Sequence, residues 1–202
     1  MKETLVEEIV ELEWEMFQKT QNVGGRAWCQ DDRLQFDSNR KGQFLQWDEK
    51  TLQSYLKDLK AAQAEGRNLV SLKYAYMMES TWPEEFLQIK DQLPEISEEK
   101  RSLIQKMAEK MLAWCADFES KYPNLSKHSR PIDQSSDRNG VTSVETYFKG
   151  ELSTYSLETL NCLLSVFDSF ETDKVNLYEK SVEVQIGMTT GKTLQEVEEL
   201  MK

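Results

Sequence analysis

The chain has 202 residues, with 25 basic and 36 acidic side chains and a formal net charge of −11. This length suits one domain, or two small ones, and the 39% hydrophobic content excludes a chain that is disordered by composition. No apolar run approaches the roughly 18 residues of a membrane-spanning helix. The acidic balance argues against nucleic acid and membrane surfaces as partners bound through the overall charge.

The expected location is the cytoplasm. The first 17 residues contain six glutamates and one lysine, unlike a secretory signal. Three cysteines at wide spacing argue against a disulfide framework and for a reducing compartment.

The N-terminal third has a helical pattern of apolar residues. One face of the first segment carries Leu5, Ile9, Leu12 and Met16, which predicts an amphipathic helix from about Lys2 to Thr20. The adjacent glycines 24 and 25 end this helix. Asp31 or Asp32 then caps a second helix that runs to about Trp47.

Capping residues also place the helices of the middle segment. Asp48 caps a third helix that ends near Gly66, and Asn68 caps a fourth. The segment from Thr81 to Glu84 has capping-box spacing with a proline in its first turn, which predicts a short helix before Pro94.

The second half continues the helical pattern. Ser97 caps the longest predicted helix, which reaches about Tyr122, and residues 123–140 form the longest irregular stretch. Further helices are predicted near residues 141–154, after Ser156, from Asp173, and after a capping box at residues 193–196. Because no useful strand periodicity occurs, we predict an all-α single domain of about nine or ten helices.

A shift of 108 residues superposes part of the chain on itself. Residues 41–69 and 149–177 share seven identities in 29 positions, which are Lys41, Gly42, Thr51, Leu52, Leu56, Asn68 and Leu69. One interpretation is an internal duplication, with halves at 1–80 and 97–188 related by a pseudo-two-fold axis around one core. The alternative is the general similarity of helical hairpins.

The densest group of reactive side chains is Arg26, Trp28, Cys29, Asp31 and Asp32. Arg26 could hold a carboxylate or phosphate, Asp31 or Asp32 could act as a base, and Cys29 is a candidate nucleophile. A thiol nucleophile needs a base nearby, and the single histidine, His128, lies with Arg130 in the irregular stretch. Alternatively, the aspartates cap a helix, Arg26 pairs with one of them, and Trp28 and Cys29 fill the core.

Metal and cofactor signals are weak. With one histidine, no paired cysteine spacing and no EF-hand spacing, the sequence predicts no metal site, although two carboxylates holding magnesium or calcium stay open as an alternative. No cofactor is identified.

The chain resembles a bacterial and archaeal family of uncharacterised proteins, domain of unknown function 4125. The resemblance lies in segments 22–32 (NVGGRAWCQDD), 43–47 (QFLQW), 66–70 (GRNLV), 74–80 (YAYMMES) and 150–155 (GELSTY). It implies a helical protein of about this length and transfers no activity and no catalytic residue. Residues 133–142 depart from the more regular pattern of the family, which puts any role of that loop in doubt.

Two functions follow as expectations. The preferred one is a site between the two halves for a small anionic molecule, contacted by Arg26, Trp28, His128 and Arg130. It predicts that loop 23–32 borders a concave pocket with Arg26 pointing into it. The alternative is a non-catalytic protein–protein interaction module, in which the same side chains serve as caps and ion pairs and an apolar patch lies exposed.

Overall fold

Side-chain caps divide the chain into helices, as the sequence predicts. A computed structural model describes residues 1–21 and 25–202. Over these residues the protein is all-α, with eleven α-helices: α1 (Lys2–Gln18), α2 (Arg33–Phe44), α3 (Glu49–Ala64), α4 (Leu69–Thr81), α5 (Pro83–Ile89), α6 (Glu98–Lys121), α7 (Pro123–Ser126), α8 (Val144–Leu152), α9 (Leu157–Thr172), α10 (Leu177–Thr190) and α11 (Leu194–Leu200). No β-strand forms in this part of the chain, and none of its helices is both long and apolar enough to cross a membrane.

Most predicted caps are confirmed. Asp32, Asp48, Asn68, Ser97, Ser156 and Thr193 each accept a hydrogen bond from a backbone N–H in the first turn of the helix that follows. Each of these bonds satisfies one of the N–H groups that a helix start leaves unpaired.

The short helix predicted to start within residues 81–84 is confirmed as α5, but two predicted capping residues are wrong. Thr81 lies in the last turn of α4, where its hydroxyl donates to the carbonyl oxygen of Met77 at 3.1 Å, so it does not cap α5. The break falls at Trp82 instead, because a residue before proline avoids the helical region. Asp173 ends α9, and Asn176 caps α10 by accepting from the N–H of Glu179 at 2.9 Å.

The stretch 123–140, predicted to be irregular, contains the short helix α7 and a 3₁₀ turn at Gln134–Ser136. The carboxylate of Glu198 on α11 accepts from the N–H groups of Asn124 and Leu125 at 3.0 and 2.8 Å. Burial would raise the pKa of Glu198, but these hydrogen bonds at the start of α7 hold it below its ordinary value. Glu198 thereby ties α11 to the start of α7.

The two halves have the same helix order, and equivalent helices make equivalent contacts across the two halves. Helices α3 and α4 coincide with α9 and α10 under the 108-residue shift, and α4 packs on α8 while α10 packs on α2. A Cβ atom added at Gly42 would lie 2.6 Å from the carbonyl oxygen of Ser181. One added at Gly150 would lie 3.1 Å from the carbonyl oxygen of Lys73. Both contacts therefore join residues that are equivalent under the shift.

Helices α1 and α6 follow the same relation with an offset of 98 residues. The side-chain amide of Asn68 donates to the carbonyl oxygen of Met16 at 2.7 Å, and that of Asn176 donates to Trp114 at 2.8 Å. With this offset, the buried positions 6, 9, 10, 13 and 17 of α1 fall on the buried positions 104, 107, 108, 111 and 115 of α6. The halves are thus equivalent in packing, while their origin by duplication stays a prediction.

One buried pair of threonines breaks the equivalence. The Thr159 hydroxyl meets the Ser54 hydroxyl and the Asp58 carboxylate, both at 2.7 Å. The Thr51 hydroxyl, at the matching position, is buried without a hydrogen-bond partner among the described residues. At the places equivalent to Ser54 and Asp58 stand Cys162 and Val166, which offer no oxygen acceptor.

Candidate functional site

The first predicted loop is held together by its own side chains. The Arg26 guanidinium donates to one carboxylate oxygen of Asp31 at 2.8 and 3.0 Å, to the side chain of Gln18 at 2.5 Å and to the carbonyl oxygen of Gln30 at 2.9 Å. Both members of the Arg26–Asp31 ion pair are exposed. Gly24 of the predicted glycine hinge lies outside the described residues, whereas Gly25 has a φ of +99°.

The remaining residues of this loop form a 3₁₀ turn at Trp28–Asp31. The Trp28 side chain is 77% exposed, and Asp32 serves as the cap of α2. Gln30, which the sequence argument did not select, is buried and donates to the carbonyl oxygens of Phe17 and Thr20 at 2.7 and 3.0 Å. These bonds anchor the turn against the end of α1 and position the half-buried Cys29.

The second predicted loop contributes one of its two candidates to the same place. Arg130 is exposed, donates to the carbonyl oxygen of Thr142 at 3.2 Å, and lies with its guanidinium carbon 5.0 Å from the centre of the Tyr147 ring. Cys29 and Arg130 line one cavity, so the structure brings the two loops together. His128 is exposed in the turn after α7 and does not line this cavity.

This space, the first cavity, lies between α1, α2, α4 and α8 and has a volume of about 130 Å³. Its apolar wall contains Phe17, Phe36 and Val70. The polar groups facing it include Lys73, Tyr74, Arg130 and Tyr147. Neither Arg26 nor either candidate aspartate is among the lining residues.

A buried network of charged side chains, the Arg40 network, forms one side of the first cavity. Its charged members Glu13, Arg40, Lys73 and Glu151 are only 3–6% exposed. The Arg40 guanidinium binds the two Glu13 oxygens at 2.5 and 2.7 Å and the two Glu151 oxygens at 3.0 and 3.1 Å. A further bond to Gln43 at 3.0 Å gives five bonds for its five N–H donors.

Two tyrosines and an amide complete the Arg40 network. The Tyr55 hydroxyl donates to Glu13 at 2.6 Å, while the Tyr155 hydroxyl and the Gln43 amide donate to Glu151 at 2.7 Å each. Burial would raise the pKa of Glu151, but the charges of Arg40 and Lys73 hold it well below its ordinary value. The two glutamates and the two cations therefore cancel, and the network as a whole is neutral.

The Arg40 network has no counterpart in the other half. Under the offsets given above, Glu13 corresponds to Met111, Arg40 to Phe148 and Lys73 to Ser181, while Glu151, which lies in the second half, corresponds to Gln43. Since the same framework packs with apolar or small residues at the first three of these positions, we infer that the fold does not require the charges of Glu13, Arg40 and Lys73. A buried ion pair contributes little or no stability over apolar residues of similar volume, so we interpret this asymmetry as a specialisation of one half.

Hydrogen-bond donors predominate where the Arg40 network faces the first cavity. Lys73 has three donors and donates to the Tyr147 hydroxyl at 2.8 Å and to Glu151 at 3.3 Å. Within residues 1–21 and 25–202, the hydroxyl protons of Tyr74 and Tyr147 have no acceptor. Burial raises the pKa of Tyr74 to about 12, so its hydroxyl keeps its proton at neutral pH.

None of the charged members of the Arg40 network was predicted from the sequence as a functional residue, although one signal was available. Glu13 lies on the buried stripe of α1 defined by positions 6, 9, 10, 16 and 17. A carboxylate on an apolar helix face must be paired within the fold. Its partners could not be identified from the sequence, because they lie on other helices.

Metal ligands are not grouped anywhere in the described ranges 1–21 and 25–202: no cluster of three or more histidine, cysteine, aspartate or glutamate side chains is suited to hold an ion.

The comparisons with known proteins identify a family without an assigned activity. Residues 3–199 match the family described as "Protein of unknown function (DUF4125)", and because this covers nearly the whole chain, the chain belongs to that family. No curated protein and no solved structure shows a significant match.

Proposed function

For this member of a family of unknown function, we propose that the first cavity binds a small anion bearing a carboxylate or phosphate group. The observation that carries this proposal is a pair of cations beside one ring. The Lys73 ammonium lies 4.3 Å from the centre of the Tyr147 ring, and the Arg130 guanidinium lies 5.0 Å from it.

The charges around the ring favour an anion. Because both cations lie beside one ring, they are within about 10 Å of each other, close to the Debye length at physiological salt. The Arg40 network is neutral with Lys73 included, so Arg130 supplies a net positive charge at the cavity. An anion between Lys73 and Arg130 would reduce their mutual repulsion.

The free donors fit the same chemistry. A carboxylate or phosphate oxygen accepts several hydrogen bonds, and among the residues that the structure describes Arg130 uses one of its five donors. The volume of about 130 Å³ is close to the roughly 150 Å³ of a cavity that holds benzene. The anion, or the part of it that enters, therefore has about six non-hydrogen atoms.

The proposed ligand is a small anion, as expected from the sequence, but the arginine that contacts it is a different one. Arg26, expected to orient the ligand, is engaged with Asp31 and Gln18, and Arg130 takes its place in the proposal. Of the candidate catalytic residues Cys29, Asp31 and Asp32, only Cys29 lines the first cavity. Their catalytic roles stay predictions, and the proposal is restricted to binding.

The test uses acetate, butyrate and inorganic phosphate as probes, at constant ionic strength against chloride. We expect at least one of them to raise the melting temperature, because a ligand that binds only the folded state stabilises it. Arg130→Gln should weaken binding of that probe about tenfold or more in calorimetric titration, since a hydrogen bond to a charged group contributes about 1.5–3 kcal/mol.

The matched control is Arg138→Gln, which removes the same charge from the same loop at a residue that does not line the first cavity. It should bind the probe as the unmodified protein does. An equal loss of probe affinity in Arg130→Gln and Arg138→Gln would show a general charge effect. If none of acetate, butyrate and phosphate raises the melting temperature, the proposal is overturned.

The alternative function, a non-catalytic interaction module, is favoured by a separate observation. Arg26, Asp31 and Asp32 form an ion pair and a cap, as that alternative predicts, and Trp28 and Leu34 nearby are 77% and 56% exposed. Trp28→Ser should then abolish binding of a partner protein isolated with the unmodified chain and leave anion binding unchanged. Retained partner binding would count against this surface.

A further inference from the structure

A second cavity of about 370 Å³ lies between α6, α8 and α10. Segment 126–136 closes its remaining side. Half of the lining residues are apolar and half are polar or charged: the apolar ones are Cys115, Phe118, Pro131, Ile132, Val144 and Tyr178, and the others are Glu119, Ser126, Ser129, Arg130, Asp133 and Ser136. Cys115 and Phe118 are buried, which makes the floor apolar. This second cavity corresponds to the first in the other half, because Cys115 stands at the position of Phe17, Val144 at that of Phe36 and Tyr178 at that of Val70.

The two cavities meet at one side chain. Arg130 lines both of them, and the first turn of α8 contributes Val144 to the second cavity and Tyr147 to the first. Residues three apart on a helix lie on the same face. A molecule whose anionic group is held by Arg130 and Tyr147 therefore has the second cavity, with its apolar floor at Cys115 and Phe118, as its neighbouring space.

From this juxtaposition we propose that the ligand is a carboxylate with an extended apolar chain, whose head occupies the first cavity and whose chain occupies the second. This inference rests on the proposed function, since it assigns the head group to the same donors. It adds the chemical class of the remainder, a hydrocarbon or arylalkyl chain.

Charge at the rim of the second cavity supports a single anionic group. Glu119 and Asp133 line it together with Arg130, so its lining carries two carboxylates and one cation. A second anionic group there would meet repulsion, whereas a neutral chain would not. The volume, nearly three times that of the first cavity, suits the larger part of a ligand.

The experiment measures the affinities of acetate, butyrate, hexanoate and octanoate for the full chain by calorimetric titration. Burying one methylene contributes about 0.8 kcal/mol, so each added methylene that enters the second cavity should tighten binding about fourfold. Val144→Phe, which fills the second cavity, should leave acetate affinity unchanged and abolish the increase with chain length. Ser129→Phe fills the same cavity from its exposed rim and serves if Val144→Phe does not fold.

The outcomes separate this inference from the proposed function. If acetate binds through Arg130 and affinity does not increase with chain length, the inference is wrong and the proposed function stands. If affinity increases equally in the filled variants, the chain lies elsewhere and the inference is also wrong. If no carboxylate binds and phosphate does, the inference fails alone, and if none of the probes binds, both fail.

Discussion

Replacing Glu13 by methionine tests whether the Arg40 network is a requirement of the fold or a specialisation of one half. Glu13 accepts two bonds from Arg40 and one from the Tyr55 hydroxyl. Its removal leaves an uncompensated positive charge and unsatisfied donors in a site that is almost fully buried. Breaking a buried ion pair in this way costs about 3–5 kcal/mol, which is a large part of the total stability of a domain.

The double variant Glu13→Met/Arg40→Phe should behave differently. It introduces the residue types that stand at the equivalent positions, Met111 and Phe148, and it keeps Glu151 paired with Lys73. The remaining charges cancel again. We therefore expect the double variant to recover at least about 2 kcal/mol relative to Glu13→Met, since apolar replacement of a whole buried pair is often neutral or stabilising.

The measurement is equilibrium unfolding in urea, monitored by circular dichroism and tryptophan fluorescence. It compares the unmodified protein, the single variants Glu13→Met and Arg40→Phe, and the double variant. Coincident transitions and unchanged slopes would validate the comparison of free energies. If the double variant loses as much stability as the two single variants together, the pair is not coupled and our interpretation of the asymmetry is refuted.

Three further predictions concern stability. Thr51→Val should raise the free energy of unfolding by up to about 1 kcal/mol, because it removes a buried hydroxyl that has no hydrogen-bond partner among the described residues. Thr159→Val should lower the free energy of unfolding by about 1–3 kcal/mol, because it removes a hydroxyl that bonds to Ser54 and Asp58. If urea unfolding shows Thr51→Val to be the less stable of the two variants, this reasoning is contradicted. Gly42→Ala should cost about 1–3 kcal/mol because the new methyl group meets a backbone carbonyl oxygen, while Gly187→Ala, which meets nothing within 4 Å, should stabilise α10 by up to about 1 kcal/mol. Glu198→Gln should lower the free energy of unfolding at neutral pH, and the difference from the unmodified protein should shrink as the pH falls below about 5. The reason is that a carboxylate whose pKa is lowered by folding stabilises the protein only while it is charged. A difference in unfolding midpoint that is independent of pH would refute the role of the charge on Glu198.

Helix starts could be predicted from the sequence because a cap is a local signal. A serine, aspartate or asparagine side chain bonds to an N–H three residues later, as at Asp48 and Asn68, so that cause and effect lie within one turn. The failures at Thr81 and Asp173 have the same origin. Each residue type suits a cap, but the preceding helix includes Thr81 and ends at Asp173, and the sequence does not show which of two adjacent signals prevails.

The candidate site could be predicted only in part. Side chains of both loops were expected to contact one site, and Cys29 and Arg130 do line one cavity. The charged residues beneath them were not found, because charged side chains are normally exposed and because the partners are distant in the chain. Arg40 on α2 meets Glu151 on α8 across 111 positions, a contact that only the folded chain creates.

The difference between the two halves is more informative than their similarity. Equivalent packing around Gly42 and Gly150 shows that both halves meet the same geometric demands, so residues that match across the halves are explained by the fold. Residues that do not match, such as Arg40 against Phe148, need another cause. The net charge of −11 does not oppose an anion at this place, because charges separated by more than about 8–10 Å of salt solution are largely screened. In the proposed interaction the charges next to the first cavity are the ones that count, and there the neutral Arg40 network leaves Arg130 as the surplus charge.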